Sequence, residues 1–126
     1  MNRFLAISAF VLLLTFHAAS ANSAAPSYIE LADAPTVVVD WSRGNTQSVT
    51  LGGNRALTFV NGEKGGKYFL IVKQDATGSR TVTWPSSVRW PGKNGPTLTT
   101  TANKTDYVAF IYNGVSYDML AISQGY

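Results

Sequence analysis

The chain has 126 residues, of which 45% are apolar and 13% charged, and a formal net charge of +3. That length holds one domain and not two with separate cores, and the apolar fraction is that of a globular chain, which excludes disorder. With no cysteine and a single histidine, His17, disulfide frameworks and most zinc, thiolate and imidazole chemistry are excluded at the outset.

Residues 1–21 differ from everything after them. Arg3 supplies a positive start, Phe4 to Phe16 is an almost unbroken apolar run, and Ala19-Ser20-Ala21 offers small residues for cleavage, the tripartite pattern of a secretory signal. The run is about 13 residues, short of the ~20 that cross a bilayer. Cleavage after Ala21 is expected, with a second site after Ala25, and the competing readings are an uncleaved anchor or a buried N-terminal helix. The protein is therefore expected to be secreted, extracellular or at the cell surface, with no membrane contact once the signal is removed. Removal also takes Arg3 and His17, leaving nine Lys and Arg against seven Asp and Glu. Those cations stand singly along the chain, so no stripe exists to follow a phosphate backbone, and nucleic acid is not an expected partner.

Residues 22–39 read as a leader. Tyr28-Ile29-Glu30-Leu31-Ala32 alternates as a strand, Pro35 interrupts, and Thr36-Val37-Val38-Val39 is strongly β-prone. Such a strand either folds back on its own sheet or pairs with the sheet of another molecule. The residues that would make the second contact are Tyr28, Ile29, Leu31, Val37, Val38 and Val39.

From residue 40 to 126 short alternating runs are separated by turn signals such as Gly52-Gly53-Asn54, Asn61-Gly62 and Thr77-Gly78-Ser79. The spacing of about ten residues predicts an all-β fold, a single antiparallel β-sandwich of jelly-roll type. Val49 and Leu51, then Leu57 and Phe59, each point one apolar face to a core. Lys67 to Lys73 has no polar alternation between its lysines and predicts a central strand covered on both faces. Val82 and Trp84 continue the alternating pattern, which assigns Trp84 to the core. Asp106 to Tyr112 and Val115 to Ile122 form a hairpin, with Asn113-Gly114 as a type I′ turn.

Chemistry is sparse. The carboxylates Glu30, Asp33, Asp40, Glu63, Asp75, Asp106 and Asp118 are far apart in sequence, and a glycosidase would need two of them to converge. Gly62-Glu63-Lys64-Gly65-Gly66-Lys67 falls one residue short of a phosphate-binding loop and is followed by Tyr68 where Ser or Thr is required. Asn103-Lys104-Thr105 is a lone glycosylation sequon. No catalytic residue, metal ligand or cofactor is expected. Aromatics are the remaining resource, since Trp and Tyr on a sheet rim stack against sugars. Trp90, in a loop beside Pro91, and Tyr117 are the candidates for a surface glycan.

Asp40-Trp41-Ser42, Gly44-Asn45, "VTLGGNRALTF", "QDATGSRTVTWPSSVRWPG", "PTLTTTANKTDYVAFIYNG" and a final Tyr-Asp strand together resemble a small β-domain that recurs in phage tail-fibre and other virion structural proteins, and in secreted bacterial proteins. The resemblance covers residues 40–126 and implies a non-enzymatic structural or attachment module. The signal sequence departs from the phage pattern and points to a cell-exported protein carrying the same module. The function expected on these grounds is a structural subunit that assembles outside the cell into a homo-polymer, a filament built by N-terminal strand exchange. The alternative is a monomeric carbohydrate-binding or adhesin-like module.

Overall fold

Apolar alternation in the first half of the chain converges on one shared core, which the backbone reaches by coiling. The computed structural model describes residues 27–92 and 95–126; the expected signal sequence and the first residues of the leader lie outside the described residues. The elements are β1 (Tyr28–Glu30), β2 (Thr36–Asp40), a short 3-10 turn (Trp41–Arg43), β3 (Thr46–Leu51), β4 (Arg55–Val60), β5 (Lys67–Gln74), β6 (Val82–Thr83), β7 (Val88–Arg89), β8 (Thr105–Tyr112) and β9 (Tyr117–Ser123). Among the described residues no helix is long and apolar enough to cross a membrane.

Strands β1, β3 and β5 lie side by side in a larger sheet, and β2, β4 and β6 form a smaller one, all of them parallel. The chain thus crosses from one sheet to the other at each bend and returns one strand further along. Antiparallel β8 and β9 extend the larger sheet, and β7 lies parallel on the far side of β9. Among the described residues five of the seven strand pairings are parallel, which overturns the antiparallel arrangement expected from the turn spacing. The turns explain the difference. Gly52-Gly53-Asn54 does reverse the chain, but it delivers β4 to the opposite sheet instead of back beside β3, so each strand's partner is a full coil away. Parallel pairs require such crossings, which a tight hairpin cannot make.

The two sheets enclose one cluster of buried side chains, with Val37, Val39, Leu57 and Phe59 from the smaller sheet and Val49, Leu51, Leu70 and Phe110 from the larger. Its centre is aromatic. Trp41 stacks on Tyr68 at 4.7 Å, and Phe59 meets Trp41, Phe110 and Tyr117 edge-on at 5.2 to 5.3 Å, the geometry in which ring quadrupoles attract. The leader belongs to this core. β1 pairs with β3 and β2 with β4 of the same chain, and Leu31, Val37 and Val39 are buried. Pro35 marks the crossing between the sheets, and its carbonyl accepts from the Ala56 N–H at 3.0 Å.

Two local expectations are corrected. β5 is central, between β3 and β8, but its outer face is only partly covered: Ile71 is buried there while Phe69 is 45% exposed, because the smaller sheet packs on the inner side and, among the described residues, no element lies over Phe69. In the β8–β9 hairpin the reversal is centred one residue later than expected, on Gly114 and Val115. Asn113 N–H donates to the Ser116 carbonyl at 3.0 Å, while the Asn113 side-chain oxygen accepts from the N–H groups of Val115 and Ser116. An Asn side chain that bonds its own turn in this way competes with the two-residue pattern.

Candidate functional site: a tryptophan corner

The corner is made where β6 stops. Pro85 lacks an N–H for the ladder, and its carbonyl accepts from Val88 N–H at 3.0 Å, turning the chain into β7. Trp84 precedes this turn and Trp90 follows β7. Their rings meet at 4.9 Å, close to perpendicular, and both reach Phe110 at about 6 Å. A row of aromatic contacts thus runs from Phe59 and Phe110 in the core to the surface. Trp84 is half-buried and not wholly in the core as its phase with Val82 suggested; β6 is a two-residue edge strand, so the inward indole lies at the rim of the sheet.

Three side chains from strand ends hold the surrounding loops. The Gln74 amide donates to the Arg80 and Thr99 carbonyls, and its oxygen accepts from Arg80 N–H. Asp75 accepts from the N–H groups of Thr77 and Gly78 and binds the Arg80 guanidinium with both oxygens. Asp106 accepts from Thr99 and Gly125 N–H. Gln74 and Asp106 are buried, and satisfied polar groups of this kind fix loop geometry.

Two clefts of about 300 Å³ open beside the rings. One is bounded by Trp84, Arg80, Val82, Pro96, Leu98 and Thr100. The other is bounded by Trp90, Arg89, Pro91, Asp118 and Met119. At the second, Arg89 holds Asp118 through two parallel hydrogen bonds of 2.7 and 2.8 Å, the planar fork that suits a carboxylate. Asp118 also accepts from Ser116 and Asn113. The Arg89 guanidinium is the main reason its carboxyl is lowered to about 2. An aromatic face beside fixed donors and acceptors is the arrangement that packs the apolar face of a sugar ring and bonds its hydroxyls.

The expected site residues are not brought together. Trp90 is at the corner, half-buried. Tyr117 is 3% exposed within the central aromatic group, and its hydroxyl accepts from Gly62 N–H at 2.9 Å, so it has no face for a glycan. Periodicity put it on β9 but could not reveal that its ring fills the gap between Phe59 and Tyr112. In the leader, Val37 and Val39 point inward, while Tyr28 and Val38 are exposed. Sequence reasoning missed Arg89–Asp118, partners separated by 29 positions, for which no local signal exists. It also missed the outer face of the larger sheet, where Tyr28, Phe69, Tyr107 and Tyr126 are all exposed. No alternation marks that face, since Tyr68 to Val72 and Tyr107 to Tyr112 are apolar on both sides of their strands.

Comparison with protein families matches residues 34–117 to the family described as "Putative phage tail fibre C-terminal domain". The chain belongs to this family. The tail-fibre match runs from just before β2 to the first residue of β9 and contains Trp84 and Trp90, so the corner is part of the tail-fibre domain itself. The resemblance seen in the sequence motifs is borne out, with the valines of β2 now included. Comparison with curated proteins and with solved structures finds no match.

Proposed function

We propose that the protein is a non-enzymatic attachment module of the tail-fibre type, working outside the cell, that binds carbohydrate at the tryptophan corner. The observation that carries this reading is Trp90 seated against Trp84 beside the Arg89–Asp118 pair. Loops held by Gln74, Asp75 and Asp106 would present that corner without an ordering cost on binding. The carboxylates also favour a non-enzymatic role. Asp33, Asp75 and Asp118 are each tied up by an arginine, and Asp106 by backbone N–H groups. A glycan array with the secreted protein tests the reading. Trp90→Ala and Arg89→Ala should abolish the glycan signal while the far-UV spectrum is unchanged; binding retained by both folded variants would reject it.

A second reading, a filament built by strand exchange, is supported by the placement of β1 and β2 as the first strands of the coil. Their parallel pairings with β3 and β4 could equally be made by the leader of another subunit. Electron microscopy of the purified protein would reveal such filaments directly.

A further inference from the structure

The two sheets have four edges, β1 and β7 in the larger and β2 and β6 in the smaller. Three of them are blunt: β1 has three residues, and β6 and β7 two each, with prolines at 85 and 91 close behind the last two. Short strands and prolines are how natural sheets avoid recruiting another chain. Among the described residues β2 is the longest edge strand, with Pro35 before it and Asp40 at its end. It is five residues, Thr36-Val37-Val38-Val39-Asp40, without lysine, proline or bulge.

The hydrogen bond from Ala56 N–H to the Pro35 carbonyl sets which main-chain groups face inward. In the parallel register with Thr36 opposite Ala56 and Val38 opposite Thr58, the N–H and C=O groups of Val37 and Val39 face β4. Those of Thr36 and Val38 then point out of the sheet, since successive residues of a strand alternate their bonding direction. The Val38 side chain is 51% exposed.

We infer that the outer edge of β2 is a dimerisation surface, at which a second copy of this chain pairs β2 to β2, antiparallel, about a two-fold axis through Val38. The segment is self-complementary in that orientation. Val38 faces Val38, Val37 faces Val39, and Thr36 faces Asp40, so no like charges meet; the Val38 pair exchanges two main-chain bonds and Asp40 N–H meets the Thr36 carbonyl, while the Asp40 carbonyl is held by the Gln47 amide of its own chain at 2.6 Å. Interfaces between identical copies take this isologous form. The smaller sheet becomes continuous across the axis, and the exposed Val38 side chains cover each other.

Sedimentation velocity over a concentration series up to about 100 µM, enough to populate a dimer of micromolar Kd, tests the proposal. The purified protein should show a doubling of mass that reverses on dilution. Val38→Pro removes the outward N–H and leaves untouched the N–H groups that β4 receives; Val38→Lys places two positive charges face to face. Both should be monomeric, with a melting temperature equal to that of the wild type at dilutions where it too is a monomer. If Val38→Pro does not fold, Val38→Lys decides alone. A protein that is monomeric at every concentration, or a folded variant that still dimerises, overturns the proposal. A disulfide between Thr36→Cys and Ala56→Cys, which sit on neighbouring strands about 4.8 Å apart and within reach of an S–S bridge, separates it from strand exchange. The dimer should survive the oxidised staple, and its loss would mean that β2 leaves its own sheet. Hydrogen exchange at the Val38 amide should slow with protein concentration. Protection independent of concentration would mean that the chain's own residues cover the edge, and this too overturns the proposal.

Discussion

The Asp106 carboxylate, 2% exposed, accepts from Thr99 N–H at 2.6 Å, and its other oxygen accepts from Gly125 N–H at 2.9 Å. One side chain on β8 therefore pins both the loop under the tryptophan corner and the C-terminal segment. Asp106→Ala removes a buried carboxylate and leaves the half-buried Thr99 N–H and the Gly125 N–H without their partner. Urea unfolding should reveal a loss of about 2–4 kcal/mol, and backbone order should fall first at residues 97–100.

The same group sets a pH dependence. Burial alone would raise the Asp106 pKa, but the Thr99 and Gly125 N–H groups and the Gln124 amide outweigh it, and the net shift is downward. The Asp33, Asp75 and Asp118 carboxyls are lowered as well, each chiefly by its arginine. A depressed folded pKa gives stability that is fully present above the unfolded value of about 3.9 and is lost as pH falls through the folded one. The urea midpoint should therefore be level between pH 5 and 7, as His17 is the one histidine, and should fall below about pH 4. Asp106→Asn should make that fall shallower, and an equally steep fall in the variant would remove Asp106 from the account.

Tyr117 joins β9 to the bend after β4 through its hydroxyl, while its ring fills the aromatic core. Tyr117→Phe should cost about 1 kcal/mol, the worth of one hydrogen bond, and Tyr117→Ala about 3–5 kcal/mol through the cavity. Gly62→Ala should resemble a small-to-large core change, because a Cβ there would fall 2.5 Å from the tyrosine oxygen, a contact relieved only by displacing the ring at about 1–3 kcal/mol. Thermal melts of the three variants order these effects.

Neighbouring valines of β2 differ in burial, Val39 being 0% and Val38 51% exposed. Val39→Ala should cost roughly 2 kcal/mol, the scale of burying a valine side chain, and Val38→Ala less than about 0.5 kcal/mol in the monomer. Equal effects at the two positions would show that β2 does not hold this register in solution.

Much of the strand content was legible in the sequence because alternation reports burial directly. Val49 and Leu51, Leu57 and Phe59, and Val37 and Val39 each repeat every second residue, and each pair faces the core. The corner was half legible. Trp84 and Trp90 were identifiable from their prolines, but the degree of burial of Trp84 depends on β6 being a two-residue edge, which is a property of the sheet. Tyr117 was misjudged for the same kind of reason, since a tyrosine on a strand reads alike whether its ring meets solvent or Phe59.

The sequence by itself determined that the chain is β-rich, that its leader is strand-forming, and that it carries tail-fibre motifs, because residue type and period act within a few positions. Tertiary structure alone decided that strands β1 to β6 run parallel in a coil, that Arg89 meets Asp118, and that β2 lies at the edge of the smaller sheet. A glycine turn specifies that the chain reverses, and the direction it leaves in depends on which distant apolar face must be covered. TWPSSVRWP, residues 83–91, announces a corner; only the packed core behind it makes that corner a surface with two clefts.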